Sequence, residues 1–193
     1  MAMQQKEEAR FETLAQELYV FIEGYADLFK SKTHSYVDKA KQYVSGLFQA
    51  EKSNIEVMSE TVEGSNLQNL NHFISQSPWE AEAVIGRIGQ DTEQVLRDVA
   101  ERTGQKTGYI IDESGWRKHG TKSVGVSRQY LGSLGKVNNG QVGVFSSLVC
   151  GNERGLVNTR LFLPECWTED ATRCDQAGIP EEARTFQTKP MLA

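Results

Sequence analysis

GYIIDESGW, residues 108–116, sets three large apolar side chains directly before two acids. Tyr109, Ile110 and Ile111 run without polar alternation, the pattern of a strand buried on both faces. Asp112 and Glu113 then fall where that strand is expected to leave the core. A carboxylate in that place either closes a turn, bonding the backbone near Gly115, or holds a metal ion.

The residues that follow bear on the choice. From Ser114 to Val149 the chain has no Asp or Glu, yet Arg117, Lys118, Lys122, Arg128 and Lys136 all lie there, with Trp116 and Tyr130 among them. The chain as a whole carries a net charge of −5, so this is a basic segment inside an acidic protein. A phosphatase that uses a strand-end Asp as nucleophile wants a second Asp two residues on, and position 114 is Ser. An actin-like ATPase wants glycine close behind the Asp, and here Glu113 and Ser114 intervene. Metal-dependent polynucleotidyl transfer uses a carboxylate to hold Mg²⁺ and basic side chains to hold phosphates. Of the metal or phosphate chemistries, that one accounts for the acid-free stretch.

Composition narrows the class. With 38% hydrophobic and 24% charged residues among 193, the chain folds. No apolar run approaches the ~20 residues of a membrane helix, and the polar start MAMQQKEEARFE is no secretion signal. A cytoplasmic protein without a membrane partner is expected. Cys150, Cys166 and Cys174 form no C-x-x-C pair and read as reduced thiols. His34, His72 and His119 are scattered, which gives a histidine metal site little support.

The chain reads as two halves. Over residues 6–103, Phe11, Leu14, Leu18, Ile22, Tyr25 and Phe29 recur at helical spacing, as do Val37, Ala40, Val44 and Leu47, then Leu67, Leu70 and Phe73. Ser77 is expected to cap a further helix with Pro78 in its first turn and Glu80 completing a capping box. From Lys106 onward strands and turns take over: GYIIDE, then NNGQVGVFSSLVC, then LVNTRLFL after a GNERG turn, the last two as an antiparallel hairpin. TEDATRCDQAG reads as a short helix capped by Thr168 and stopped near Gly178. The expected fold is α+β, with a helical N-terminal domain at 1–105 and a strand-rich domain at 106–193. TKPMLA opens a helix with Thr188 and Pro190 just where the given residues stop, which reads either as a tail after Pro180 or as the front of a longer chain.

The run IIDESGWRKHGTKSVGVSRQYLGSLGKVNNGQVGVFSSLV, continued by RLFLPECWTED, AGIPEE and FQTKPMLA, resembles the front of an insertion-sequence transposase of the Asp-Asp-Glu class. HFISQSPWEAEAV is similar to the helical region that precedes the catalytic domain in the same family. The resemblance implies an RNase H-like domain that opens with three antiparallel strands, the first carrying the catalytic, metal-binding Asp. Asp112 matches it. The family's second Asp and its Glu lie further on, so the resemblance implies an incomplete domain with one of three carboxylates, inactive alone, and with apolar surface left open on the first strand. Mg²⁺ or Mn²⁺ is the implied cofactor of a complete relative. DNA, as transposon ends and target, is the implied partner, with Arg117, Lys118, Lys122, Arg128 and Lys136 as phosphate contacts. Two other readings stay open: a non-catalytic protein that binds DNA or assembles with itself or with full-length transposase, and an ATPase or phosphatase of related topology.

Overall fold

The computed structural model of the protein describes residues 2–193, with side chains from Arg10 onward. Its contacts divide it into two compact units, Met1–Val84 and Ile85–Ala193. No helix among the described residues is long and apolar enough to cross a membrane.

The first unit is helical: α1 (Ala2–Glu23), α2 (Val37–Gln49), α3 (Ile55–Thr61) and α4 (Leu67–Ser75). Its core joins Ile22, Tyr25, Phe29, Val37, Ala40 and Phe73, with Trp79 packed against them. The spacing from Phe11 to Phe29 suggests one helix, but α1 stops at Glu23. Gly24, a poor helix residue, donates its N–H to the Val20 carbonyl, and tight turns then carry Tyr25 and Phe29 into the core. Asn54 caps α3 through the Val57 amide and Asn66 caps α4 through the Asn69 amide, each at 2.8 Å.

The next helix, α5 (Ala81–Thr103), begins four residues after Ser77. Ser77 is therefore not its cap; its hydroxyl donates to the His72 carbonyl instead. Residues 77–80 are spent on inserting Trp79. That ring stacks on Phe73 at 5.4 Å, and its Nε1–H bonds the Phe73 carbonyl. Further along α5, Leu96 and Val99 pack on Leu148 and Cys150. The contact division at Val84/Ile85 thus groups most of this helix with the strands, whereas the expected boundary at 105/106 follows its end.

The second unit holds one antiparallel sheet of four strands: β1 (Thr107–Arg117), β2 (Ser127–Leu131), β3 (Lys136–Cys150) and β4 (Glu153–Leu161). β3 is central. It pairs with β1 from Thr107↔Cys150 to Arg117↔Gly140, with β2 from Ser127↔Gly140 to Leu131↔Lys136, and with β4 from Gly143↔Leu161 to Cys150↔Glu153. The β3–β4 hairpin turns on Gly151 and Asn152 alone, shorter than GNERG suggests. Gly151 takes φ +61°, the left-handed geometry such tight turns require. The register shifts between Ser146 and Ser147, leaving Val157 as the extra residue on β4. After the sheet come α6 (Glu165–Thr168), α7 (Ala171–Gln176) and α8 (Lys189–Leu192). Asp170, not Thr168, caps α7, accepting from the Arg173 amide at 2.9 Å. Gly178 ends that segment with φ +68°.

Two expectations for the first strand fail. It is not buried on both faces, contrary to what its apolar run suggested: Tyr109, Ile110 and Ile111 are 57%, 50% and 41% exposed, the open apolar surface that the resemblance implied. Among the described strands β1 pairs with β3 alone, so its other edge is open. Nor does the strand end at the acids. Pairing continues unbroken to Arg117, and Asp112 stands in mid-strand. A strand at SRQYL, which becomes β2, was not expected either. It is short and polar, and pairs only through its hairpin with β3.

Where β1, β2 and β3 converge, Gly140 is paired on both sides. A Cβ there would lie 2.5 Å from the Trp116 carbonyl oxygen and 2.7 Å from Leu131 Cδ1. Backbone cannot yield as a flexible side chain can. Gly140→Ala is expected to destabilise the protein by about 1–3 kcal/mol, read as a lowered melting temperature. Gly132→Ala, with nothing within 4 Å of its added carbon, is expected to be nearly neutral; equal melting of the two variants would refute the close-packing argument.

Candidate active site

In an antiparallel sheet, directly paired residues share a face and neighbours along a strand alternate. The unbroken register of β1 on β3 therefore sends Asp112, paired with Phe145, to one face and Glu113, paired with Val144, to the other. Asp112 is exposed and forms no ion pair among the described residues. One of its oxygens accepts the Glu113 backbone N–H at 2.8 Å. It borders a pocket of about 390 Å³ together with Glu113, Ser114, Tyr130, Gly132 and Ser133, the pocket reaching residues of both faces. Glu113 is engaged otherwise: its Oε2 lies 2.7 Å from the Lys189 ammonium of α8, which also stands 5.5 Å from the Phe162 ring.

The five basic residues are not gathered on one face. Arg128, paired with Asn139, shares the face of Asp112, as does Tyr130, paired with Val137. Arg117 and Lys136, paired with Gly140 and Leu131, fall on the Glu113 side. Lys118 and Lys122 lie in the loop between β1 and β2, Lys118 half-buried and Lys122 exposed. None of the five forms an ion pair among the described residues. Trp116 is 38% exposed and donates its Nε1–H to Gln141 Oε1 at 3.1 Å, so it packs on the sheet.

The loop is fixed from beneath by side chains that sequence reading passed over. Asn139 Nδ2 donates to the carbonyls of Lys118 and Gly120 at 2.9 and 2.7 Å. Gln141 Nε2 donates to the Val124 carbonyl. Arg173 reaches the Thr121 carbonyl at 2.8 Å. Trp167, fully buried with Cys174 and Ile179, gives its Nε1–H to the Val126 carbonyl at 2.9 Å, and the Arg173 guanidinium lies 3.6 Å from the centre of its ring. Each such bond contributes on the order of 1 kcal/mol. Together they turn the loop's carbonyls inward and leave its lysine side chains unpaired. The signal for this role was the pair of amides in β3 and the Trp in PECW, but the contacts join residues up to 52 positions apart.

As a ligand for a hard divalent cation, Asp112 fits: it is an accessible carboxylate with no cation paired to it among the described residues. It fits as one ligand only. Among the described residues there is no group of three or more His, Cys, Asp or Glu that could hold a metal ion.

Comparison with known proteins meets this geometry. The profile described as DDE superfamily endonuclease matches residues 25–193. The probable transposase for insertion sequence element IS701 of Microchaete diplosiphon is 32% identical over 127 residues, covering 64% of this chain. The chain spans about a third of that relative's length, the matched part being 32% of it. No solved structure matches the chain. Because the family match takes in well over half of the residues and includes Asp112 and the basic loop, the chain belongs to the DDE superfamily endonuclease family.

Proposed function

We propose that the chain serves DNA transposition, with Asp112 as the first carboxylate of an Asp-Asp-Glu set and the basic loop as part of the surface that holds DNA. The observation that carries this reading is the placement of Asp112: exposed, in mid-strand, and on the same sheet face as the unpaired Arg128. Such a carboxylate would bind Mg²⁺ or Mn²⁺. Held by a complete set of carboxylates, such an ion would supply Lewis-acid stabilisation to the reacting phosphate. The work of this chain's own residues is to present and position. The β1–β3 pairing fixes the direction of the Asp112 carboxylate. Lys118, Lys122 and Arg128, with Arg117 and Lys136 at the margins, offer charge to the phosphate backbone. Glu113 is proposed as an anchor for α8, since Lys189 already neutralises it and it faces away from Asp112. The reaction would take place in the cytoplasm, on transposon ends and target DNA.

A single carboxylate seldom holds Mg²⁺, which dehydrates reluctantly and prefers several ligands. A polypeptide of these 193 residues is therefore expected to nick no supercoiled DNA with either Mg²⁺ or Mn²⁺. Metal-dependent nicking that disappears in Asp112→Asn would overturn this expectation. Mn²⁺-induced broadening of resonances near Asp112, absent in Asp112→Asn, checks the ligand role separately. A second reading, a non-catalytic protein that assembles with itself or with a longer transposase, draws on the exposed apolar side chains of α1 and α2, with Phe11 72% and Phe48 77% exposed.

A further inference from the structure

The loop between β1 and β2 is tied down through its carbonyls. Asn139 Nδ2 holds those of Lys118 and Gly120 at 2.9 and 2.7 Å, and Arg173 holds that of Thr121 at 2.8 Å. A trans peptide is planar, and its N–H points opposite to its C=O. No peptide bond among the described residues is cis. The N–H groups that share these three peptide planes belong to His119, Thr121 and Lys122. Each therefore points away from the side chain that holds its plane. None of the three donates to any group among the described residues, and all three residues are exposed. Gly120 sets the plane of the second: its φ of +78° is the left-handed geometry that glycine adopts freely, and a Cβ added there would meet nothing within 4 Å.

A single loop amide facing water is common. Here three outward amides fall within four residues, and the oxygens of the same peptide planes are drawn to the other side. Partial positive charge is left on the open side without the matching carbonyls, the polarity of a backbone anion site. The Lys122 ammonium, exposed and without an ion pair among the described residues, adds a full charge on the same loop. We propose that the main-chain amides of His119, Thr121 and Lys122 cradle one internucleotide phosphate, with Asn139 as the positioning residue that aims them. The inference rests on the reading of this loop as DNA-facing, and it moves the contact from the lysine side chains to the backbone. Main-chain donors to a phosphate fix where the strand lies without reading its bases. Being neutral, they release no counterions of their own, so this contact depends less on salt than those of the lysines.

NMR titration of the isotope-labelled full chain with inorganic phosphate, against chloride at equal ionic strength, tests it. Saturable shifts of the His119, Thr121 and Lys122 amide resonances are expected with phosphate only. They should persist in Lys118→Ala/Lys122→Ala at lower affinity. Asn139→Ala frees the carbonyls of Lys118 and Gly120 and should weaken phosphate about tenfold, the effect of one hydrogen bond to a charged group. Gly120→Ala, with open space around the added carbon but a disfavoured φ, should do the same even if Asn139→Ala folds poorly. Equal shifts in chloride, their disappearance in Lys118→Ala/Lys122→Ala, or full phosphate affinity in Gly120→Ala would each overturn the proposal. Short duplexes with hydroxyl and with phosphorylated ends should move the same amides alike; a preference for the phosphorylated end would overturn the assignment to an internucleotide phosphate. A duplex that binds through the lysines and leaves these amides unmoved would remove the cradle and spare the DNA reading, whereas a chain that binds no duplex would remove both.

Discussion

Trp167→Ala is expected to lower stability by about 3–5 kcal/mol, the usual cost of emptying a site filled by a large buried aromatic ring. Trp167 is fully buried among Cys174, Ile179, Val124 and Leu163, and its indole N–H bonds the Val126 carbonyl. Removing it leaves a void under the loop, a Val126 carbonyl held by Arg173 alone at 3.3 Å, and an Arg173 guanidinium without the ring it rests on. For a unit of this size the melting temperature should fall by on the order of 10 °C or more. Cys166→Ala, at the exposed position next door, should change little. A loss below about 1 kcal/mol would mean that the 165–179 segment is not the loop's support. The same variant should weaken DNA binding even at temperatures where it remains folded, since the lysines would lose the frame that presents them.

The double variant Lys118→Ala/Lys122→Ala should have the largest effect on DNA binding itself. Each phosphate contact steepens the dependence of log affinity on log salt by about 0.9 on duplex DNA. Loss of two contacts should therefore flatten the slope by about 1.8, which at 0.1 M salt corresponds to roughly 60-fold weaker binding. Melting should be unchanged, because the loop is tied through its carbonyls, not its amines. Fluorescence anisotropy on a duplex across a salt series gives both numbers. An unchanged slope would remove these lysines from the interface.

Much of the architecture was legible in the sequence, where the signal is local. The alternation of Val142, Val144 and Leu148 against Phe145 and Val149 marked β3, and the glycine-bounded turn marked its hairpin with β4. The opposite faces of Asp112 and Glu113 followed from a strand's period of two. Other features were hidden for identifiable reasons. Tyr109–Ile111 looks interior because apolar runs report what a strand suits, not what neighbours are present to cover it. Ser77 and Pro78 imitate a helix start, but the core's demand for Trp79 delays the helix to Ala81. The acid-free segment was plain, yet composition could not reveal that its cations divide between two faces and a loop. Arg173 and Trp167 were unreadable as supports because their partners lie far away in the chain.

The alternation of the two neighbouring acids has a mechanical corollary. Sliding β1 by one residue along β3 would exchange their duties, sending the glutamate to the face that Asp112 now holds and the aspartate to the side of Lys189. The crowded junction at Gly140, where three strands meet without room for a methyl group, suits the register that puts a glycine opposite the end of β1, and with it the register that turns the aspartate outward.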